Sequence, residues 1–345
     1  TDLDGYRAYV SELPYTDSVG IFGLHANAKI TFEKQESDRL LSTVTDIQPA
    51  LGGGGGGGSA EEVVDALAAQ LLGGVPAMMD RTSAGEGVFQ VNEKGELNSL
   101  QIVLLHEMGR FNKLLKRVAD SLKDLQKAIK GLVVMSADLD AMFGSMLKNQ
   151  VPGLWTKVAY PSLKPLSGWF KDLQERVVFF TSWLTEGQPA CFNLPAFFFQ
   201  QGFMTGILQL HARRYGLPID TLSFSYKILA FEDAGDVDAA PEDGVYIEGF
   251  FIVGARFDRE SLLIADSYHK EMHDTLPVFH FIPTSNFKRS PKDYECPLYK
   301  TAVRAGVLTT TGASSNYIIG LDIPTDKTPD YWVRMGVAAL CALAD

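Results

Sequence analysis

The sequence predicts an α+β fold: a helical half with one long, strut-like helix, followed by an antiparallel β-sheet or incomplete barrel. From Leu104 to Leu132 the apolar residues are spaced alternately four and three, which is the heptad pattern of a long helix. After Pro218 they alternate with polar residues, which is the period of a strand. Most of the later strands follow one another without a helical pattern between them, which excludes parallel βαβ units.

The composition is that of a folded protein and excludes several classes of partner. The chain has 345 residues, of which 46% are hydrophobic and 21% charged, a globular composition at a length where one core usually divides into domains. A net charge of −11 makes nucleic acid, an anionic membrane and the acidic surface of a microtubule poor partners. No apolar run approaches the ~20 residues of a membrane span.

Short helices and a glycine run are predicted in the first part of the helical region, residues 1–216. Tyr6, Val10 and Leu13 share one helical face. Thr31 is a candidate N-cap for a second helix. The apolar face of that second helix consists of Leu40, Leu41, Val44 and Ile47.

The run Gly52–Gly58 has no side chains to pack and predicts a flexible linker of roughly 15 Å root-mean-square span. Ser59 and Glu62 form a capping box for a third helix, which is expected to continue to Leu72. The segment 73–97 is rich in glycine and irregular.

The long helix is predicted to begin after Asn98 and to end near Leu132. Asn98 with Gln101 three residues later is a capping signal, and Gly131 is placed for a left-handed stop. At 1.5 Å per residue such a helix is roughly 50 Å long, so it needs packing partners along its whole length. Its predicted apolar seam consists of Leu104, Met108, Phe111, Leu115, Val118, Leu122, Leu125, Ile129 and Leu132.

Three more helices complete the helical region. A short one carries the stripe Leu139 to Leu147 and stops before Pro152. The next opens at Pro165, carries Trp169 on its apolar face, where we expect it to be buried, and is ended by Gly187. The last is predicted to open at Pro195, to run to Tyr215 and to stop at Gly216.

The β half, residues 217–345, is predicted from alternating residues and turn signals. A polar loop, Glu232–Asp243, follows the first strand. The predicted strands are Leu222–Ile228, Val245–Phe257, Pro277–Pro283, Cys296–Thr301, Asn316–Pro324 and Tyr331–Leu340.

Enzyme signatures are weak throughout the sequence. The glycine run lacks the Gly-Lys-Ser/Thr ending of a phosphate loop. His269 and His273 are four apart, and Asp266 or His280 could complete a zinc site with them. However, Lys270 stands where the metalloprotease pattern has glutamate, which favours a solvated helix or turn.

The remaining reactive residues also favour structural roles. The three cysteines, Cys191, Cys296 and Cys341, are widely spaced and odd in number, which favours buried free thiols in a reducing compartment. A dyad of Cys191 or Cys296 with a distant histidine stays open. Arg213 and Arg214 suit the C-terminal end of a helix dipole better than a phosphate site.

Several segments together resemble the C-terminal region of dynein heavy chains, most closely the axonemal ones. The first is IFGLHANAKI, with Ala26 where that family usually has proline. The resemblance covers nearly the whole chain in the right order. The other similar segments are LLHEMGRFNKLL, LQKAIKGLVVMS, VPGLWTKVAYPSLKPLSGW, PAFFFQQGFMTGILQ, LPIDTLSF, EDGVYIEGFFIVGARFD, YECPLYKT and WVRMGVAAL. Phe192-Asn193-Leu194 and Gln200 depart from the family's pattern.

The resemblance implies a mechanical part of a microtubule motor ATPase in the axoneme of a cilium or flagellum. In the family this region follows the sixth AAA+ module, lies across one face of the ring, and binds neither nucleotide nor microtubule. It implies no cofactor and no metal. The expected partners are the other AAA+ modules of the same heavy chain, together with other axonemal components. The first helices could belong to the small lid of the sixth module.

Eight residues within the similar segments are candidates for a structural or intramolecular interface role. The resemblance implies that role, and no catalytic residue is predicted. The eight are Arg110, Phe111, Asn112, Trp155, Tyr160, Trp169, Phe198 and Trp332.

Two other functions remain open at this point. The β half could be a small ligand-binding or enzymatic barrel, which metal analysis and a ligand thermal-shift screen would reveal. The protein could also be a free-standing adaptor, which would have a start codon of its own. Because the sequence begins at Thr1 rather than methionine, we expect it instead to be a piece of a longer protein.

Overall fold

A computed structural model describes residues 2–13, 18–47, 60–231, 233–308, 312 and 314–344. The predicted linker Gly52–Gly58 and the predicted cap Ser59 lie outside the described residues, as does Glu232 at the start of the predicted polar loop. Within the described residues, no helix is long and apolar enough to cross a membrane.

Two helices open the chain, Leu3–Glu12 (α1) and Asn27–Ile47 (α2). The predicted cap Thr31 is wrong, because α2 already begins at Asn27. The ring Nδ1 of His25 accepts a hydrogen bond from the Asn27 N–H at 3.1 Å and thereby caps the first turn. The predicted apolar faces are exposed: Tyr6 and Val10 retain 61% and 63% of their accessible surface.

The helix Ala60–Gly74 (α3) leads, through an irregular segment, to the long helix Ser99–Ile129 (α4). The predicted capping box is confirmed: Asn98 Oδ1 accepts from the Gln101 N–H at 2.9 Å, and Gln101 Oε1 accepts from the Asn98 N–H at 2.8 Å. Gly131 has the predicted left-handed backbone, with φ 70°. With 31 residues, α4 is about 46 Å long.

The apolar seam of α4 is buried from Leu100 to Leu125 and contacts five other helices. Leu132 is the exception: it is 73% exposed, because the helix has already ended at Ile129. The helices that α4 contacts are α3, Ala137–Leu147 (α5), Gly153–Thr156 (α6), Leu166–Glu186 (α7) and Gln200–Tyr215 (α8).

The prediction for α7 is confirmed, whereas that for α8 is wrong at its start. Pro165 is the N-cap of α7, and Gly187, with φ 105°, ends it. Pro195 instead lies in a 3₁₀ turn, Leu194–Ala196, and α8 begins five residues later than predicted, at Gln200. The intervening residues are held out of the helix, because the backbone N–H groups of Phe198 and Phe199 donate to a side chain of α4.

The strands are short, and only some were predicted. Leu222–Ile228 (β2) has the predicted bounds, while Cys191–Asn193 (β1) was not predicted. The remaining strands are Val245–Glu248 (β3), Phe251–Val253 (β4), Arg256–Asp258 (β5), Leu263–Ala265 (β6), His273–Thr275 (β7), Phe279–Ser285 (β8), Asp293–Tyr299 (β9), Tyr317–Pro324 (β10) and Ala338–Leu340 (β11).

Two long predicted strands are wrong. The segment Val245–Phe257 breaks into three strands at Gly249 and Gly254, whose φ angles are 91° and 79°. A Cβ on Gly249 would approach the Pro195 ring to 2.8 Å, so this bend needs glycine for space as well as for conformation. The segment Tyr331–Leu340 lies mostly outside any strand, because Pro329–Arg334 forms a helix (α9) with proline at its first turn.

The strands form open sheets, which confirms the α+β prediction, although two of the strand pairs are parallel rather than antiparallel. One sheet has the order β1-β3-β8-β2, another β10-β9-β11-β4-β7, and β5 pairs with β6. The β1–β3 and β11–β9 pairs are parallel, and the other strand pairs are antiparallel. Among the described residues no sheet closes into a barrel.

One strand pair crosses the predicted boundary between residues 216 and 217. β1 precedes that boundary and β3 follows it, and Cys191 pairs with Tyr246. Buried side chains of both halves also share one apolar core. The division into a helical region and a separable β half stays a prediction.

Candidate functional site: an aromatic cluster around the long helix

Five of the eight residues selected from the sequence meet in one cluster. Phe111 comes from α4, Trp155 from α6, Trp169 from α7, and Tyr160 and Phe198 from the segments that lead into α7 and α8. The Phe198 ring is edge-on to Phe111 at 4.6 Å and to Tyr160 at 5.4 Å between centroids. Such edge-to-face geometry is favourable beyond simple burial.

The two tryptophans form the end of the cluster nearest α6. Their rings stack at 5.5 Å, and Trp169 also stacks on Tyr160 at 6.1 Å. Trp155 Nε1 donates to Ser121 Oγ at 2.8 Å, so the one polar group of this buried indole has a partner on α4. Trp169 is 1% exposed, as predicted.

A charged group lies directly against the aromatic rings. The guanidinium carbon of Arg176 is 3.8 Å from the centroid of Tyr160, its Nε donates to Asp172 at 2.7 Å, and its Nη1 donates to the carbonyl oxygen of Pro195. Lys164 Nζ donates to the same carboxylate at 3.2 Å. Arg176 therefore joins α7 to the 3₁₀ turn that precedes α8.

These contacts shift pKa values in opposite directions. Burial raises the pKa of Asp172, but the charges and hydrogen bonds of Arg176 and Lys164 outweigh it and hold that pKa below its usual value. The pKa of Tyr160 is raised well above its usual value, chiefly by burial. The carboxylate is thus held ionised and the phenol neutral, which favours a structural ion pair over acid–base chemistry.

Glu107 of α4 is a buried carboxylate, only 2% exposed. Its oxygens accept the backbone N–H groups of Phe198 at 2.7 Å and Phe199 at 3.2 Å. Burial raises the pKa of Glu107, partly opposed by those two hydrogen bonds. This residue fixes the position at which the backbone turns into α8.

Arg110 and Asn112 lie at the edge of the cluster. Asn112 is half-buried and exchanges two hydrogen bonds with the backbone of Met79, at 2.7 and 2.9 Å, which fastens the segment after α3 to α4. Arg110 is exposed, and its guanidinium lies 5.1 Å from the centroid of Phe199. Both side chains hold neighbouring segments against the long helix.

Trp332 belongs to another part of the fold. It is fully buried in α9, and its Nε1 donates to Thr325 Oγ1 at 2.7 Å. Tyr331 packs edge-on against it at 4.9 Å. Trp332 therefore anchors the end of the β half, apart from the other seven residues.

Glu107 and Arg176 are central to the cluster, and sequence reasoning missed both. Each carries a charge at a position of the apolar stripe: Glu107 lies three residues after Leu104, and Arg176 lies three residues after Leu173. A charged residue on a buried helical face must find a partner. A charged residue within an otherwise apolar stripe was therefore the sequence signal that could have identified Glu107 and Arg176.

The described residues offer little for catalysis. They contain no group of three or more His, Cys, Asp or Glu that could hold a metal ion. His273 lies in β7, and His269 in a turn where Lys270 has a positive φ, so the helical zinc arrangement is absent from this segment. Burial raises the pKa of Cys191 and of Cys296 to about 12 each, which keeps both thiols protonated at neutral pH.

Comparison with known proteins agrees with this architecture. The sequence profile for the C-terminal domain of the dynein heavy chain matches residues 34–341. The chain belongs to the dynein heavy chain family. It is 42% identical over 362 aligned residues to "Dynein axonemal heavy chain 6" of Homo sapiens, an alignment that covers 99% of this chain and 9% of that protein.

Other relatives are also axonemal heavy chains. Identity is 43% to "Dynein axonemal heavy chain 1" and 41% to "Dynein axonemal heavy chain 3", both of Homo sapiens, in alignments that cover 99% and 98% of this chain. The chain spans less than a tenth of the length of these relatives, 8–9%. This dynein chain is therefore a C-terminal region of the axonemal type, and the aromatic cluster lies within the part that matches the family domain.

Proposed function

We propose that this region braces the AAA+ motor ring of an axonemal dynein heavy chain and tunes its movement without carrying chemistry of its own. The observation that supports this most strongly is the contact of α4 with five other helices along a continuous buried seam. A helix of about 46 Å supported over its length moves as one body. Such a body can transmit a displacement from one of its ends to the other.

The charged contacts around the aromatic cluster support the same role. Arg176 joins α7 to the turn before α8, and Glu107 joins α4 to the same segment. Leaving a buried charged group without its hydrogen-bond partner is costly, so these elements resist sliding past each other. Rigid coupling between helices is what a mechanical element requires.

The partner that fits best is the rest of the same heavy chain, because the relatives are more than ten times longer than this region. Exposed apolar side chains on α1 and α2, such as Tyr9, Phe32 and Leu40, offer a surface to it. The first helices could thus belong to the lid of the preceding module. A net charge of −11 argues against direct contact with a microtubule. Because the relatives are axonemal heavy chains, the expected location is the axoneme of a cilium or flagellum.

Cross-linking of intact heavy chain with a lysine-reactive reagent tests the bracing role. Exposed lysines of this region should cross-link to AAA+ modules of the same chain, and the yields should change between the nucleotide-free and ATP-bound motor. Cross-links confined to this region in every nucleotide state would contradict the proposal.

An enzymatic or ligand-binding β-barrel is the competing function, and the open sheets do not favour it. The non-catalytic role predicts that calorimetry of the isolated 345-residue protein with Mg-ATP shows no saturable binding at micromolar concentration. A ligand screen by thermal shift provides the complementary check. Saturable nucleotide binding, or a ligand that raises the melting temperature in a dose-dependent way, would support the competing function.

A further inference from the structure

Asn27 is the one buried residue among the described part of 2–47, and it contacts the β half of the protein. Its Nδ2 donates to the carbonyl oxygens of Tyr268 at 2.9 Å and Glu271 at 2.7 Å. Its Oδ1 accepts the Lys270 N–H at 2.8 Å. Both N–H donors and the oxygen acceptor of this amide therefore form hydrogen bonds with the backbone of a single turn. That turn is more than two hundred residues away in the sequence.

Asn27 makes this contact from the very start of its helix. Asn27 is the first residue of α2, and its own N–H donates to His25 Nδ1 at 3.1 Å. The contact therefore lies at the first residue of α2, where the helix meets the turn that Asn27 holds. α1 and the rest of α2 bury no residue in the described part of this segment.

The turn that receives Asn27 contains a strained residue. Lys270 has φ 72°, a left-handed conformation that residues with a Cβ rarely adopt. Such a conformation persists only where surrounding contacts hold it in place. Here one such contact is the hydrogen bond that the Lys270 N–H donates to Asn27. The guanidinium of Arg256 also lies 4.5 Å from the centroid of the Tyr268 ring, a second contact on the residue whose carbonyl oxygen Asn27 binds.

The same turn is connected to the end of the β half. Asp266, two residues before Tyr268, accepts Lys327 Nζ at 2.5 Å and the Tyr331 hydroxyl at 2.7 Å. Tyr331 lies in α9 and packs on the buried Trp332. A continuous series of contacts therefore leads from the start of α2 through the turn 266–271 to α9.

We propose that Asn27 is a positioning residue that latches the N-terminal helices to the β half, so that a movement of α2 is passed to the turn 266–271 and α9. This inference rests on the proposed function, because the preceding part of the heavy chain would supply the movement. The hydrogen bonds of Asn27 to this turn would be one specific contact through which a movement of the motor reaches the β half.

Spin labels measure the latch in the full 345-residue protein. Gln35→Cys on α2 and Glu260→Cys between β5 and β6 provide exposed labelling positions, while the three native cysteines are buried. The parent protein should give one narrow distance distribution by pulsed electron resonance. Asn27→Ala should broaden it, because all three hydrogen bonds are lost.

Two further variants make this test specific. Asn27→Asp keeps the acceptor for Lys270 but loses both donors and places a carboxylate against two carbonyl oxygens, so it should also broaden the distribution. Thr31→Ala removes a hydrogen bond within α2, from Thr31 Oγ1 to Asn27 O, and should leave the distribution unchanged. A narrow parent-like distribution in Asn27→Ala would overturn the latch.

The intact heavy chain with Asn27→Asp tests the transmission. Gliding velocity per ATP turned over should change several-fold relative to the parent, while Thr31→Ala should behave as the parent. An unchanged ratio in a variant whose distance distribution has broadened would overturn transmission through Asn27. The proposed function would not be overturned by that outcome, because removal of the β half tests the proposed function separately.

Discussion

The guanidinium of Arg176 lies 3.8 Å from the centroid of the Tyr160 ring and donates through Nε to Asp172 at 2.7 Å. The cation is therefore enclosed by an aromatic face, a carboxylate and the carbonyl oxygen of Pro195. A planar guanidinium can satisfy all three at once, which an ammonium group cannot do. This arrangement joins α7, the segment before it and the turn before α8 into one unit.

Arg176→Ala should lower the free energy of unfolding by about 3–5 kcal/mol, because it leaves the carboxylate of Asp172 buried with less compensation. Urea denaturation measures the change. Lys171→Ala is the matched control on the same helix, since its side chain is 78% exposed and pairs with Glu175 at 3.7 Å. An exposed pair of this kind contributes about 0–1 kcal/mol. Equal effects of the two substitutions would show that the Arg176 cluster adds no stability.

Glu107 gives the protein a pH dependence with a defined sign. Because burial raises its pKa, the folded state binds a proton more readily than the unfolded state. Stability due to this group is present at low pH and is lost as pH rises from the ordinary carboxyl pKa through the raised one. Glu107→Gln should remove this decline from the unfolding free energy measured in urea at a series of pH values.

The exposed Glu186→Gln, at the end of α7, is the control for that series and should keep the slope of the parent protein. Asp172 contributes with the opposite sign, because its pKa is lowered, so its stabilisation is lost as pH falls. A Glu107→Gln profile parallel to that of the parent throughout would contradict the assigned shift.

Trp169→Ala should destabilise the fold by about 3–5 kcal/mol, the range for truncating a large buried aromatic residue. Trp169 contacts both Trp155 and Tyr160, so its removal leaves a cavity between α6 and α7. Val178→Ala on α7 is the comparison, because Val178 is 63% exposed and should change stability by about 0.5 kcal/mol or less. A loss below that of Val178→Ala would mean that the cluster does not support the fold.

Limited proteolysis should cut the protein first in 80–95 and 233–243, where irregular backbone is exposed. The predicted linker Gly52–Gly58 is a third expected site. The interior of α4 should resist, because its seam is buried against five helices. Mass spectrometry of the early fragments identifies the cuts, and early cleavage between Leu104 and Leu125 would contradict the rigid helix.

Local signals in the sequence were sufficient for the elements whose ends are determined by adjacent residues. The capping box of Asn98 and Gln101, the stop at Gly131 and the end of α7 at Gly187 depend on contacts within a few residues. The alternation in Leu222–Ile228 likewise identified β2. These features need no information about distant segments.

The errors arise where a distant contact overrides a local pattern. α8 begins at Gln200 rather than at Pro195 because Glu107, almost a hundred residues earlier, accepts the backbone N–H groups in between. The long strand predicted from Val245 breaks at Gly249, which packs on Pro195. Within the candidate site, aromatic residues were identified through the similar segments, whereas their charged partners Glu107 and Arg176 became evident only from the contacts.

The most direct test of the mechanical role compares intact heavy chain with a heavy chain that lacks residues 217–345. Both proteins are assayed for ATP turnover and for microtubule gliding velocity, and a thermal melt confirms that the truncated motor is folded. The coupling between ring and β half should amount to about 1–3 kcal/mol, enough to change mechanics several-fold. The account predicts that ATP turnover largely remains and that the distance moved per ATP changes. Complete loss of turnover in the folded truncated motor, or an unchanged distance per ATP, would contradict it.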